Sequence, residues 1–399
     1  MPKSFWLLVI GMAINITGSS FLWPLNSIYI HDHLGKTLSV AGVVLMLNSL
    51  ASVIGSLAGG TLYDHIGGYR ATMIGIVITV AALTGLTFWH GWPQYVIFLS
   101  LIGLGSGIIG PAMFAMAGSV WKNGGRKAYN AIYVAQNIGV AVGSALGGAI
   151  ASYSFDYIFP ANLLMFIVFG LIAAFGYNKM SKEQLARKNQ GRTGISSGTR
   201  SQLLALIILC TSYLLCWIAY VQWQATISAY TQKLHISLHE YSLLWTLNGS
   251  IIVLGQPFLI PVTTKWLSNV KAQIMAGIAI FMVSFGVASI AEQFQGFVAA
   301  MAILTLGEML VWPSVPAVAG ELAPKGREGF YQGIVNSVAT AGRMIGPVIG
   351  GLLADLYGMN VLFAVLIVLY AVALMLTAAY NLPLKSKKAE QSVPLRKSC

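Results

Sequence analysis

The chain has 399 residues, of which 57% are hydrophobic and 9% are Asp, Glu, Lys or Arg, and its formal net charge is +12. Soluble proteins carry about 25% charged residues, so this composition cannot coat a globule of such size with polar surface, and it is too apolar for disorder. A water-soluble enzyme is excluded. The three cysteines, Cys210, Cys216 and Cys399, cannot build a disulfide framework and none has a His at metal-ligand spacing; no metal site and no cofactor is expected.

A bilayer's hydrocarbon is crossed by about 20 apolar residues in a helix. Twelve uncharged runs of that kind occur, at 5–30, 39–62, 70–90, 94–120, 129–152, 157–178, 202–231, 241–264, 272–291, 296–320, 329–353 and 359–382. In lipid every backbone polar group needs an internal partner, so the runs predict helices, and their interior Gly and Pro are tolerated there. The first run is too long for a signal h-region and reads as a retained helix. The expected fold class is an all-α membrane protein of twelve transmembrane helices.

Loops facing the cytoplasm are enriched in Lys and Arg. With both termini inside, 20 of the 23 basic residues fall on the cytoplasmic side, only Lys36 and Lys233 fall outside, and Arg343 lies within a helix. This asymmetry accounts for the net charge without nucleic acid as a partner, and the basic tail is suited to anionic lipid. A multi-pass protein of a bacterial cytoplasmic membrane, monomeric and with both termini cytoplasmic, is expected.

The polar, basic segment 180–201 reads as a cytoplasmic linker between a bundle of six helices at 1–179 and a second at 202–383, with a basic cytoplasmic tail at 384–399. Self-comparison supports the division. L-N-S-L-A-S-V-I-G at Leu47 to Gly55 matches L-N-G-S-I-I-V-L-G at Leu247 to Gly255, an offset of 200 that also relates Trp23 to Trp223. In the fifth and eleventh helices Gly139, Gly143 and Gly147 match Gly342, Gly346 and Gly350. Two repeated six-helix halves are an architecture of secondary transporters, which bind substrate near mid-bilayer between the repeats.

The loop G-T-L-Y-D-H-I-G-G-Y-R, Gly60 to Arg70, resembles the signature loop of the major facilitator superfamily: Gly60, Leu62, Asp64 and Gly67 match, while Arg70 falls one place late. The stretch Gly342 to Gly351, with Pro347, resembles the antiporter motif of the family's drug:proton exporters; the first repeat has Ser144 in place of the proline, and the family's arginine in helix four is absent. The resemblance implies the major facilitator fold, with two pseudo-symmetric six-helix bundles whose helices one, four, seven and ten line a cavity. It assigns Gly60, Asp64, Gly67 and Arg70 to a conformational gate in which Asp64 meets the start of helix eleven. Gly139, Gly143, Gly147, Gly342, Gly346, Pro347 and Gly350 form a helix-packing motif, since small residues at every fourth position let helices approach closely.

Of the eleven acidic residues ten fall in loops or at helix ends, and Glu308 alone lies deep. It sits about 12 residues from the cytoplasmic end of helix ten and Arg343 about 14 from that of helix eleven, a depth difference of roughly 3 Å. A charge at mid-bilayer costs at least ~2.5 kcal/mol. Burial favours the neutral acid whereas a nearby cation favours the carboxylate, so Glu308 and Arg343 are the candidate proton-coupling pair. A permanent structural ion pair is the alternative. Candidate substrate-binding residues are Asn15, Trp23, Asn26, Met113, Tyr220, Gln222, Gln224, Asn248, Gln256 and Trp312, polar, aromatic and pliable groups suited to amphipathic molecules.

The expected function is a proton-coupled secondary transporter that exports amphipathic or cationic small molecules by alternating access, of multidrug-efflux type and not an enzyme. The alternative within transport is an importer or uniporter of a small metabolite, and a non-transporting membrane sensor is more remote. The partners are then a small-molecule substrate, protons and membrane lipids.

Overall fold

The computed structural model describes residues 2–22, 25–178, 200–267 and 269–384. Twelve helices among them are long and apolar enough to cross a membrane. They are α1 (Lys3–Leu22), α2 (Leu38–Ile66), α3 (Gly68–Phe88), α4 (Gln94–Val120), α5 (Arg126–Tyr153) and α6 (Ile158–Ile172). The second set is α7 (Arg200–Tyr220), α8 (Leu238–Trp266), α9 (Val270–Ser289), α10 in two pieces (Phe294–Val311 and Ser314–Leu322), α11 (Glu328–Tyr357) and α12 (Met359–Ala379). Apart from edge residues, the linker at 180–201 and the tail at 384–399 lie outside the described residues, as does Trp23.

Helix boundaries follow local chemistry. The Thr37 hydroxyl caps α2 by accepting from the Val40 N–H at 3.3 Å. At the equivalent place 200 residues on, Ser237 and Glu240 form a reciprocal capping box at the start of α8, satisfying otherwise orphaned N–H groups. The α2–α3 corner turns on Gly67, whose φ of 86° and ψ of 163° are open essentially to glycine alone. The first apolar run is not one helix: α1 stops at Leu22, and a separate turn of helix, Asn26–Ile28, leads into a π-helical segment, Tyr29–His33.

The same helix pairs pack in both halves: α1 on α5 and α6, α2 and α3 on α4, α3 on α6, and correspondingly α7 on α11 and α12, α8 and α9 on α10, α9 on α12. Buried apolar side chains form two cores, one drawn from Phe5 to Tyr177 and one from Ala205 to Tyr380 together with Tyr133. Trp223 is fully buried in the second core, so it is a packing residue and not a member of an interfacial aromatic belt.

The glycines at every fourth position explain the tightest of these pairs. A Cβ on Gly139 would lie 2.6 Å from the Ala13 carbonyl oxygen, and one on Gly143 would strike that of Thr17. In the second half a Cβ on Gly346 would lie 3.0 Å from the Ile218 carbonyl oxygen, and one on Gly350 would strike Gln222. Thus α5 packs backbone to backbone on α1, and α11 on α7.

Between halves, α2 and α4 pack on α11, and α5 packs on α8. Four of the hydrogen bonds that join the bundles run from Asn336 to Ser56 Oγ (2.7 Å), from Ser337 to the Val53 carbonyl (3.3 Å) and from the Gly329 and Phe330 N–H groups to Asp64 (both 2.8 Å). They sit toward the end of α2 and the start of α11, the side of the bilayer on which the 6–7 linker lies. The bundles are therefore closed against each other on the linker side.

Candidate functional site

Helix α10 is broken at Trp312–Pro313. Proline has no N–H, so Pro313 withdraws the donor that the Met309 carbonyl would otherwise receive. The missing donor comes from the other bundle: Arg126 Nη2 donates to the Met309 oxygen at 3.0 Å. Arg126, which charge patterning places in a cytoplasmic loop, is instead the first residue of α5.

One residue before that carbonyl, Glu308 is 2% exposed. Asn248 Nδ2 on α8 donates to Glu308 Oε1 at 2.7 Å and to Thr305 Oγ1 at 2.9 Å. From the first bundle, the Tyr133 hydroxyl donates to Oε2 at 3.4 Å, and Tyr220 and Trp312 lie beside the carboxyl. Every group satisfying this acid is neutral, and one of them belongs to the opposite half. In the first repeat Asn48 occupies the place of Asn248, close against Gly103 of α4, but Ser106 stands where Glu308 stands in the second.

Arg343 does not meet Glu308: among the described residues the contacts within 4.0 Å between a basic and an acidic side chain are those of His31 with Asp32 and His90 with Asp156. Its guanidinium lies over the Trp217 ring, 4.9 Å from the centroid, and donates to Thr340 Oγ1 at 3.3 Å. Trp217 is also stacked on Trp312, centroids 4.4 Å apart and planes 9° from parallel. Tyr213 and Tyr220 meet the Trp312 ring edge-on at 5.5 and 5.3 Å. Arg343 thus neighbours Trp217 of the stack, while Trp312 lies beside the acid.

The other candidates divide by position. Tyr220, Asn248 and Trp312 belong to the Glu308 cluster. Asn26 accepts from the Tyr95 hydroxyl at 2.7 Å, and Gln222 donates to the Gly346 and Ile218 carbonyls at 2.7 and 3.0 Å, so both are engaged within their own bundles. Met113 is sealed in the first core. Asn15 and Gln256 are buried with side-chain atoms that have no hydrogen-bond partner among the described residues, and Gln224 is exposed. Within the gate loop, Gly60 meets the Gly329 carbonyl so closely that a Cβ has no room, Asp64 accepts from α11 as described, and Arg70 is exposed on α3.

Sequence reasoning missed Tyr133, Arg126, Trp217 and Thr340. Pro313 was a visible sign of an orphaned carbonyl, but nothing in the sequence named its donor.

The family model of the Major Facilitator Superfamily matches residues 8–228 and again 209–397. The chain is 55% identical over 388 residues to the MFS-type transporter YttB of Bacillus subtilis (strain 168), covering 97% of this chain and 98% of that one. It is 22% identical over 356 residues to the multidrug resistance protein MdtH of Aeromonas hydrophila, covering 88% and 87%. Among solved structures, a bacterial homologue of the iron transporter ferroportin superposes with a TM-score of 0.76 at 14% identity, covering 96% of this chain and 100% of that one. Twelve spans in two pseudo-equivalent bundles, an inter-bundle contact at Asp64 and a family model matched along nearly the whole length make this chain a member of the Major Facilitator Superfamily.

Proposed function

We propose that the protein is a proton-coupled exporter of amphipathic or cationic compounds in a bacterial cytoplasmic membrane, working by alternating access, with both termini and the linker side cytoplasmic. The observation that carries this reading is Glu308, a buried acid that touches both bundles. Rocking the bundles apart on the linker side removes Tyr133 from the carboxyl and admits water, which changes the free-energy difference between its protonated and ionised forms. A carboxyl whose proton affinity follows the conformation converts a proton gradient into directional transport. One charge moved through 100 mV supplies about 2.3 kcal/mol, roughly a fifty-fold concentration ratio. Arg343, which makes no direct contact with Glu308, contributes through the long-range potential of its charge.

The basic residues on the linker side support the orientation, and MdtH, named a multidrug resistance protein, supports the cargo class. The test is substrate accumulation in inverted vesicles under an imposed proton gradient. Accumulation abolished by Glu308→Gln supports the reading; proton-dependent accumulation unchanged in that variant removes Glu308 from the mechanism.

A further inference from the structure

Arg343 combines two properties that rarely occur together. The lipid-facing stripe of α11 is marked by the exposed apolar residues Ile345, Val348, Leu352 and Leu356. At 100° per residue Arg343 lies about 175° around the helix from the centre of that stripe, so it is on the inward face. It is nevertheless exposed. An inward yet exposed side chain midway along a spanning helix faces a water-filled cleft, and since the bundles are closed on the linker side, the cleft opens to the other side.

A structural arginine at such depth pairs with a carboxylate or with several backbone carbonyls. Among the described residues Arg343 has one hydroxyl, that of Thr340, and the π-face of Trp217. Guanidinium offers five N–H donors in a rigid fork matched to carboxylate. Glu308 does not fill that fork, being held by Asn248 and Tyr133.

We infer that Arg343, braced on Trp217, is the subsite for an acidic group of the transported compound, the class being an aromatic carboxylate whose ring lies against the partly exposed edge of Trp217. The Trp217 stack fixes the plane of the guanidinium, so that the acid docks in two parallel hydrogen bonds on a pre-organised fork. This assignment rests on the transport reading of the cleft and narrows its cargo: a compound carrying only positive charge is repelled at this point, whereas one carrying an acid is held.

The test is equilibrium binding to the purified full-length protein in detergent, read by tryptophan fluorescence, with three probes of equal size: naphthylacetate, naphthylacetamide and naphthylethylammonium. Wild type is expected to bind the carboxylate about tenfold or more tighter than the amide. Arg343→Gln loses that preference, and Arg343→Lys, which keeps the charge but not the fork, retains part of it. The ammonium probe binding as well as the carboxylate, a carboxylate preference that survives in Arg343→Gln, or the lack of saturable carboxylate binding by wild type each overturns the assignment. No proton gradient enters this measurement. A carboxylate preference alongside unaltered gradient-driven transport in Glu308→Gln would retain the subsite and reject the coupling scheme, and the reverse pattern would do the opposite.

Discussion

Arg126 of the first bundle donates its hydrogen bond to the Met309 carbonyl of the second at the place where Pro313 has removed the intrahelical donor. The helix break beside Glu308 is thereby tied to closure of the linker side. A hydrogen bond from a charged group is worth about 1.5–3 kcal/mol. Arg126→Met is expected to raise the population open on the linker side by about tenfold or more. Pulsed electron-spin distances between labels at His65 and Lys325, both exposed on that side, measure this; an unchanged distance distribution contradicts it.

Asp64 makes the second tie. Its two oxygens accept from consecutive N–H groups at the first turn of α11, where the helix dipole also favours negative charge. Asp64→Ala is expected to open the linker side more than Asp64→Asn, which keeps one acceptor oxygen. The rate of maleimide labelling at Ser337→Cys, an otherwise buried position of the interface, should rise in the order wild type, Asp64→Asn, Asp64→Ala. Equal rates would show that the gate does not depend on this carboxylate.

The packing glycines permit a paired comparison. A methyl forced into a close helix contact costs about 1–3 kcal/mol. Gly143→Ala and Gly346→Ala should therefore lower the thermal unfolding temperature, whereas Gly148→Ala and Gly351→Ala, with nothing within 4 Å of the added carbon, should not. All four behaving alike would contradict the backbone-to-backbone account of α1 on α5 and α7 on α11.

Much of this architecture is legible in the sequence because lipid permits few solutions: charge-free runs of helical length and a repeat at constant offset define twelve spans and two halves. Glu308 is legible for the same reason, as the one acid without a loop to sit in. Its partners are not. Depth arithmetic brings Arg343 level with Glu308 but says nothing of azimuth, and Arg343 lies over Trp217 instead. Tyr133 comes from another bundle, at a register that only packing sets. Asn26 and Gln222 look like cavity polar groups in sequence because any buried amide does; their hydrogen bonds to Tyr95 and to the α11 backbone become visible only in three dimensions.

The neutral donors around Glu308 should not be equivalent. Asn248 approaches at 2.7 Å and Tyr133 at 3.4 Å, and a net hydrogen bond is worth about 0.5–1.5 kcal/mol. Asn248→Ala is expected to reduce gradient-driven transport by about tenfold and Tyr133→Phe by no more than about threefold. Neither should add to the defect of Glu308→Gln, because residues acting as a unit are not additive. A double variant with the product of the two single losses would separate these donors from the acid.

Coupling by this route requires that the proton affinity of Glu308 follow the conformation of the bundles. Infrared difference spectroscopy tests it directly, by titrating the carboxyl band that disappears in Glu308→Gln in protein locked in either state. A disulfide between cysteines at 56 and 336, whose native side chains are 2.7 Å apart, holds the linker side shut; a cross-link on the opposite side holds it open. Two distinct titration midpoints are predicted, whereas one midpoint common to both locked states would contradict the account.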